Sequence, residues 1–176
     1  MKKQIVLSGV GGQGLISTGE IIGEAASIHE GVYATLAASY GSETRGTFTK
    51  SDVIVSTEPI NYPNIEVPDV ILCLAQVAYD RYLDKFNDQT LIFYDTELVT
   101  PAKDAKGIHI GHPFKEMSIE LGNMAVANTI ALGAIIQKTG VLKRDSVVSA
   151  IREYFSAKPK VIDINIKALD VGYELN

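Results

Sequence analysis

The 176-residue chain has no tryptophan, one cysteine and three histidines, and each shortage removes a class of chemistry. With Cys73 alone, no disulfide can close within the chain. An iron–sulfur cluster normally takes four thiolates, so this chain cannot hold one unaided. Cys73 lies inside the apolar run Val70-Ile71-Leu72-Cys73-Leu74-Ala75, where a buried, inert thiol is expected. His29, His109 and His112 lack zinc-like spacing with cysteine or carboxylate, so surface or loop positions are expected and no metal site. No Lys/Arg cluster is longer than Lys2-Lys3, and a formal net charge of −5 argues against a nucleic-acid partner. No apolar stretch approaches the roughly 18 residues of a membrane span. The basic start breaks into glycines before it can read as a signal peptide, and a cytoplasmic protein is expected.

Catalytic signatures are missing as well. The chain has no Ser-His-Asp or Cys-His set with an obvious elbow, no Walker lysine and no H-E-x-x-H. The G-D-G with following asparagines that would signal thiamine diphosphate is absent too. No catalytic residue is therefore assigned, and the profile fits a subunit or a binding domain better than a complete enzyme.

Against these absences stands an ordinary globular composition, 46% hydrophobic and 21% charged, which suits one domain over residues 1–176. Its organising stretch is Gly9-Val10-Gly11-Gly12-Gln13-Gly14, placed between the apolar run Ile5-Val6-Leu7-Ser8 and a helical pattern from Leu15 to His29. Gly9, Gly11 and Gly14 have the G-x-G-x-x-G spacing, which allows a tight turn and close approach of backbone to a phosphate. The N–H groups and dipole of the following helix favour an anion. A tight turn that needs glycine only for packing is the alternative. A dinucleotide site would also place an acid about twenty residues past the glycines to read the ribose, yet Tyr33 to Ser39 contains none. That absence counts against a free-standing nucleotide-binding or regulatory module, the competing functional reading.

Further along, Leu15, Ile22, Ala25, Ala26 and Ile28 form the core stripe of the first helix, with Gly31 ending it. Gly19 and Gly23 are spaced to admit another backbone. Val32 to Ala38 reads as a second strand, so the chain opens as βαβ. The loop Ser39-Tyr40-Gly41-Ser42-Glu43-Thr44-Arg45-Gly46 sets an aromatic, an acid and an arginine between glycines, either as a ligand-facing loop or as a solvated one in which Glu43 and Arg45 pair. Thr47 to Ser56 follows as a strand with no helix between, which implies a mixed sheet. Proline punctuates an extended connector up to Pro68, before a strand at Val70 to Ala75.

A helix over 76–86 would bury Val77, Tyr82, Leu83 and Phe86. Leu91 to Asp95 is a buried strand whose Asp95, at the carboxyl end, either faces a ligand or caps a turn. A short strand at 108–110 and a helix at 114–121 come next. The segment from Met124 to Thr139 is apolar nearly all round and should be a buried helix, with Asn128 bonding either a loop backbone or a ligand. Asp145 is a candidate N-cap for a helix to Phe155, and a short last helix, Asn165 to Val171, would end at Gly172 as an arm. Together these elements describe an α/β fold: a three-layer, Rossmann-like domain with a mixed, partly curled sheet.

The glycine turn, the loop Ser39 to Gly46, Pro68-Asp69-Val70-Ile71 and Gly122-Asn123 with Ala127-Asn128, in that order, resemble the gamma subunit of 2-oxoacid:ferredoxin oxidoreductases over nearly the whole chain. Thr47 departs from the second glycine common there after the arginine. The resemblance implies packing with alpha and beta subunits, and often a ferredoxin-like delta subunit, in an assembly that oxidatively decarboxylates a 2-oxoacid to an acyl-CoA. Thiamine diphosphate and the iron–sulfur clusters would sit on those partners, with ferredoxin or another acceptor taking the electrons. This chain would help dock coenzyme A, with Gly11, Gly12, Gln13 and Gly14 as pyrophosphate cradle and Gly9 among the cofactor-binding residues. Tyr40, Gly41, Glu43, Arg45, Gly46 and Asn128 would line the same face or the subunit interface. The wording of the loop is closest to the 2-oxoglutarate branch. An isolated subunit should expose an apolar patch and could self-associate to cover it.

Overall fold

A computed structural model describes residues 1–40 and 47–175. Six strands form one sheet in the order β2-β3-β1-β4-β5-β6. They are β1 (Lys2–Val10), β2 (Tyr33–Tyr40), β3 (Phe48–Ser56), β4 (Val70–Cys73), β5 (Leu91–Asp95) and β6 (Ile108–His112). From β1 to β6 all pairings are parallel, whereas β3 runs antiparallel to both β1 and β2. The sheet is therefore mixed, as the helix-free step from the second strand to the third implied. The βαβ opening is present in a split form, because β3 inserts between β1 and β2 and pairs with each along its length.

Alternation along the central strands divides the core in two. Ile5, Leu7, Val70, Leu72 and Phe93 face a helical layer built from α1 (Leu15–Glu24), α4 (Ala127–Thr139), α5 (Arg144–Tyr154) and α6 (Ile162–Tyr173). Val6, Ile71, Cys73 and Ile92 face the thinner layer of α2 (Gln76–Tyr82), where Tyr79 and Phe86 are buried. The third layer explains the continuous apolar runs: both faces of β4 and β5 are covered. Helix α3 (Phe114–Glu120) follows β6 and packs beside α4.

Several expectations are corrected by packing that local periodicity does not encode. The first helix continues as a π-helical turn, Ala25–His29, whose wider winding turns Ile28 out to 68% exposure. Nothing approaches Gly23, while a Cβ on Gly19 would collide with Ser51 and Leu36. On α2 Ala78 and Tyr79 are fully buried and Val77 is exposed, as is Leu83 just beyond the helix. Asp145 sits in the first turn of α5 and pairs with Arg144 instead of capping it. The last helix is no arm, for α6 lies against α4 and Gly172 is inside it, at the crossing. His109 and His112 belong to strand β6, and the His109 ring hydrogen-bonds the Tyr79 hydroxyl at 2.9 Å.

Candidate functional site

The glycine turn leaves the carboxyl end of β1, on the sheet edge where the parallel strands β4 and β5 also end, and open α/β sheets gather ligands at that edge. Two of its residues need glycine for handedness: Gly12 has φ of 92° and Gly14 has φ of 71°. Gly14 is also the residue from which α1 starts, and its carbonyl accepts the first helical bond, from Thr18 N at 3.0 Å. The N–H groups of Leu15, Ile16 and Ser17 precede that bond and point out of the helix end.

The turn is held by its own side chains. Gln13 Oε1 accepts from Val10 N at 2.8 Å, and Gln13 Nε2 donates to the Leu74 carbonyl at 2.8 Å, tying the turn to the end of β4. A Cβ on Gly9 would collide with the Gln13 amide, so Gly9 makes room for this tie. Asn128, on α4, donates from Nδ2 to the Gly14 carbonyl and to Thr18 Oγ1, both at 3.0 Å. Of the two readings left open for Asn128, bonding the loop backbone is the one observed. Its Oδ1 is buried without a hydrogen-bond partner among the described residues. Gly11 N donates to the Thr47 carbonyl at 3.0 Å, so this amide braces the turn against the start of β3 and is already committed.

A cavity opens on either side of the turn. One, of about 250 Å³, lies between Gly12 and Gln13 and the ends of β4 and β5, with Leu74, Leu98 and Met124 giving it apolar walls. Asp95 and Lys115 are its acid and its cation, and Asn128 stands at its back. Asp95 is 1% exposed with both carboxylate oxygens in use: Oδ1 accepts from Glu97 N at 2.9 Å and Oδ2 from Lys115 N at 2.8 Å. It thus ties the turn after β5 to the start of α3, the structural reading of the two. The other cavity, of about 470 Å³, is open to solvent and lined by Val10 to Gly14, the first turn of α1, Glu20, Thr49 and Tyr154. There the Tyr154 hydroxyl donates to Ser17 Oγ at 3.0 Å, which steers α5 against the helix start.

The structure brings Gly9, Gly11, Gly12, Gln13, Gly14 and Asn128 together. Tyr40 ends β2, the edge strand two positions from β1, while Thr47, at the other end of the loop segment, is hydrogen-bonded to Gly11 of the turn. Gly41, Glu43, Arg45 and Gly46 lie outside the described residues. Lys115, Ser17 and Tyr154 were not singled out from the sequence. Nothing in their local spacing marks them, because α3 and α5 reach the turn only through the tertiary fold. No metal-ligating set or nucleophile–base pair occurs among the described residues lining either cavity. Cys73 is fully buried and burial pushes its thiol up to about 12, as expected for an inert group.

Comparison with known proteins agrees with this architecture. The family model for pyruvate ferredoxin/flavodoxin oxidoreductase matches residues 4–175. The 2-oxoglutarate synthase subunit KorC of Methanocaldococcus jannaschii is 37% identical, over 99% of this chain and 94% of its own length. The gamma subunit of a keto/oxoacid ferredoxin oxidoreductase from Geobacter sulfurreducens superposes with a TM-score of 0.86 at 34% identity, covering 99% of this chain and 95% of that one. A 2-oxoglutarate:ferredoxin oxidoreductase from Magnetococcus marinus, solved with 2-oxoglutarate, coenzyme A and succinyl-CoA bound, shares the fold at 22% identity with a TM-score of 0.89. The match covers 98% of this chain and 30% of that one. The chain belongs to the pyruvate ferredoxin/flavodoxin oxidoreductase family, as a gamma subunit of the 2-oxoacid:ferredoxin oxidoreductases.

Proposed function

We propose that residues 1–176 act as one gamma-type domain that docks coenzyme A for a thiamine-diphosphate-dependent complex converting a 2-oxoacid, 2-oxoglutarate by preference, to its acyl-CoA. The observation that carries this reading is the first turn of α1, whose leading N–H groups have no partner among the described residues. The N–H groups of Leu15, Ile16 and Ser17, with the positive helix end behind them, open on a solvent-accessible cavity walled by Gly11, Gly12 and Gly14. A pyrophosphate fits such a donor set, because its oxygens accept from backbone amides at no cost in side-chain ordering. Gly12 has open space where a Cβ would stand, so a ligand can approach its backbone closely. Gln13, Gly9 and Asn128 then act as the frame that keeps the turn rigid, and Gly11 braces it through Thr47.

The oxoacid preference rests on the subunits named for 2-oxoglutarate synthase among the relatives. The chemistry of decarboxylation and electron transfer belongs to thiamine diphosphate and iron–sulfur clusters on alpha and beta chains, and on a delta chain in complexes that have one. Ferredoxin or another acceptor meets the complex through those chains. The setting is the cytoplasm; among the described residues no helix is long and apolar enough to cross a membrane. Tyr40, Gly41, Glu43, Arg45 and Gly46 are assigned to the same ligand face or to the interface with the partners. Arg45→Lys should then weaken complex activity, since lysine lacks the planar fork, and unaltered assembly and coenzyme-A dependence would contradict that role.

The test is co-expression with the alpha and beta chains, with and without this one. Oxoacid-dependent reduction of an acceptor should fall to background when it is left out. An unchanged rate would refute the assignment.

A further inference from the structure

Helix α1 changes its winding at its last turn, and a group of potential metal ligands meets there. Beyond Glu24 the chain follows i→i+5 bonding, with Glu30 N to the Ala25 carbonyl at 3.1 Å, and this wider winding lets residues five apart share a face. Glu24 and His29 are five apart. Opposite them, near the end of α5, stands Glu153, whose Oε2 is 3.7 Å from His29 Nε2. One ligand atom from each of Glu24, His29 and Glu153 lies within 4.8 Å of the other two. Two carboxyl groups drawn from different helices onto one imidazole are mutually repulsive when ionised, unless a proton or a cation lies among them.

We propose that Glu24, His29 and Glu153 bind a divalent cation of borderline softness, with zinc the best fit, clamping the end of α1 to the end of α5. The donor set selects the ion: calcium and magnesium favour all-oxygen shells, whereas imidazole with carboxylates suits zinc and its first-row neighbours. Zinc binds nitrogen and oxygen at about 2.0–2.2 Å, so its ligands stand about 3.4 Å apart. The 3.7 Å pair is close to that, and a small rotation of Glu153, whose side chain is 64% exposed, closes the rest. Water completes the fourth position, toward solvent.

The ion acts as a staple. The two helices are already joined by Glu30 Oε1, which accepts from Lys143 N, and by Tyr154 with Ser17. The ligands lie about 15 Å along α1 from the glycine turn, since its ten residues each rise about 1.5 Å. The inference is thus separate from coenzyme-A docking, and its readouts do not involve enzyme activity.

The experiment is calorimetric titration of the untagged full chain, stripped with EDTA, with ZnCl2. Saturation at one equivalent and a higher melting temperature are expected. His29→Ala and Glu153→Gln, both at exposed positions, should each lower the affinity at least tenfold while leaving the circular dichroism unchanged. His112→Ala, a histidine outside the group, should bind as the parent does. No saturable binding up to millimolar ZnCl2, or binding that survives the Glu24→Gln, His29→Ala double variant, would overturn the proposal.

Discussion

Glycine serves two different ends in this molecule, at the turn after β1 and at the crossing of α4 with α6. In the turn, Gly12 and Gly14 are required by handedness, and a Cβ on Gly12 would meet open space. At the crossing, Gly133 and Gly172 have helical backbone and are required by proximity. A Cβ on Gly172 would run into the Ile130 carbonyl, and one on Gly133 would stand against the Leu169 carbonyl and, at 2.7 Å, Tyr173 N. The first kind of glycine leaves backbone uncovered, with open space at Gly12. The second removes surface altogether, letting two helices of the core approach backbone to backbone.

Substitutions should separate the two in size of effect. Gly172→Ala is expected to be the most damaging, costing about 3 kcal/mol or more in chemical denaturation because backbone atoms cannot step aside. A midpoint equal to the parent's would show that the crossing is looser than the geometry implies. Asn128→Ala should cost about 2 kcal/mol, as it leaves the buried Thr18 hydroxyl and the Gly14 carbonyl without their shared donor. The same denaturation series measures it, and Asn128→Asp should do no better, having lost the donor. Gly12→Ala should cost only about 1–2 kcal/mol, the strain of a left-handed residue with no clash. A loss as large as that of Gly172→Ala would mean the turn is packed, not open. Smallest is Arg144→Gln, which removes the fork onto Asp170 between α5 and α6, with contacts of 2.6 and 2.9 Å. Both side chains are about one-third exposed, so about 0.5 kcal/mol, shrinking with added salt, is expected.

The same contrast explains how much could be read from the sequence. The turn was legible because its glycines fall within one short stretch, Gly9 to Gly14, between an apolar strand and a helical period. Leu91 to Asp95 and the all-round apolar α4 were legible for a similar reason: burial on every side leaves its mark in composition. The crossing was not legible, since Gly133 and Gly172 are far apart in the chain and meet only once α6 docks; in isolation Gly172 reads as a helix end. The insertion of β3 between β1 and β2 was hidden likewise, because strand order is set by pairing between distant segments. Within the site, the sequence offered Gln13 as a ligand contact and Asn128 as either a ligand contact or a partner of the loop backbone. Their amides hydrogen-bond the turn and hold it, and the docking proposed above is left to the amides of the α1 start.

That division of labour is open to one direct measurement: the KM for coenzyme A of the assembled alpha, beta and gamma complex carrying Gly12→Ala. Docking at the turn predicts a rise of at least tenfold for coenzyme A with the KM for the oxoacid unchanged. An unaltered coenzyme-A KM in a fully assembled complex would contradict it.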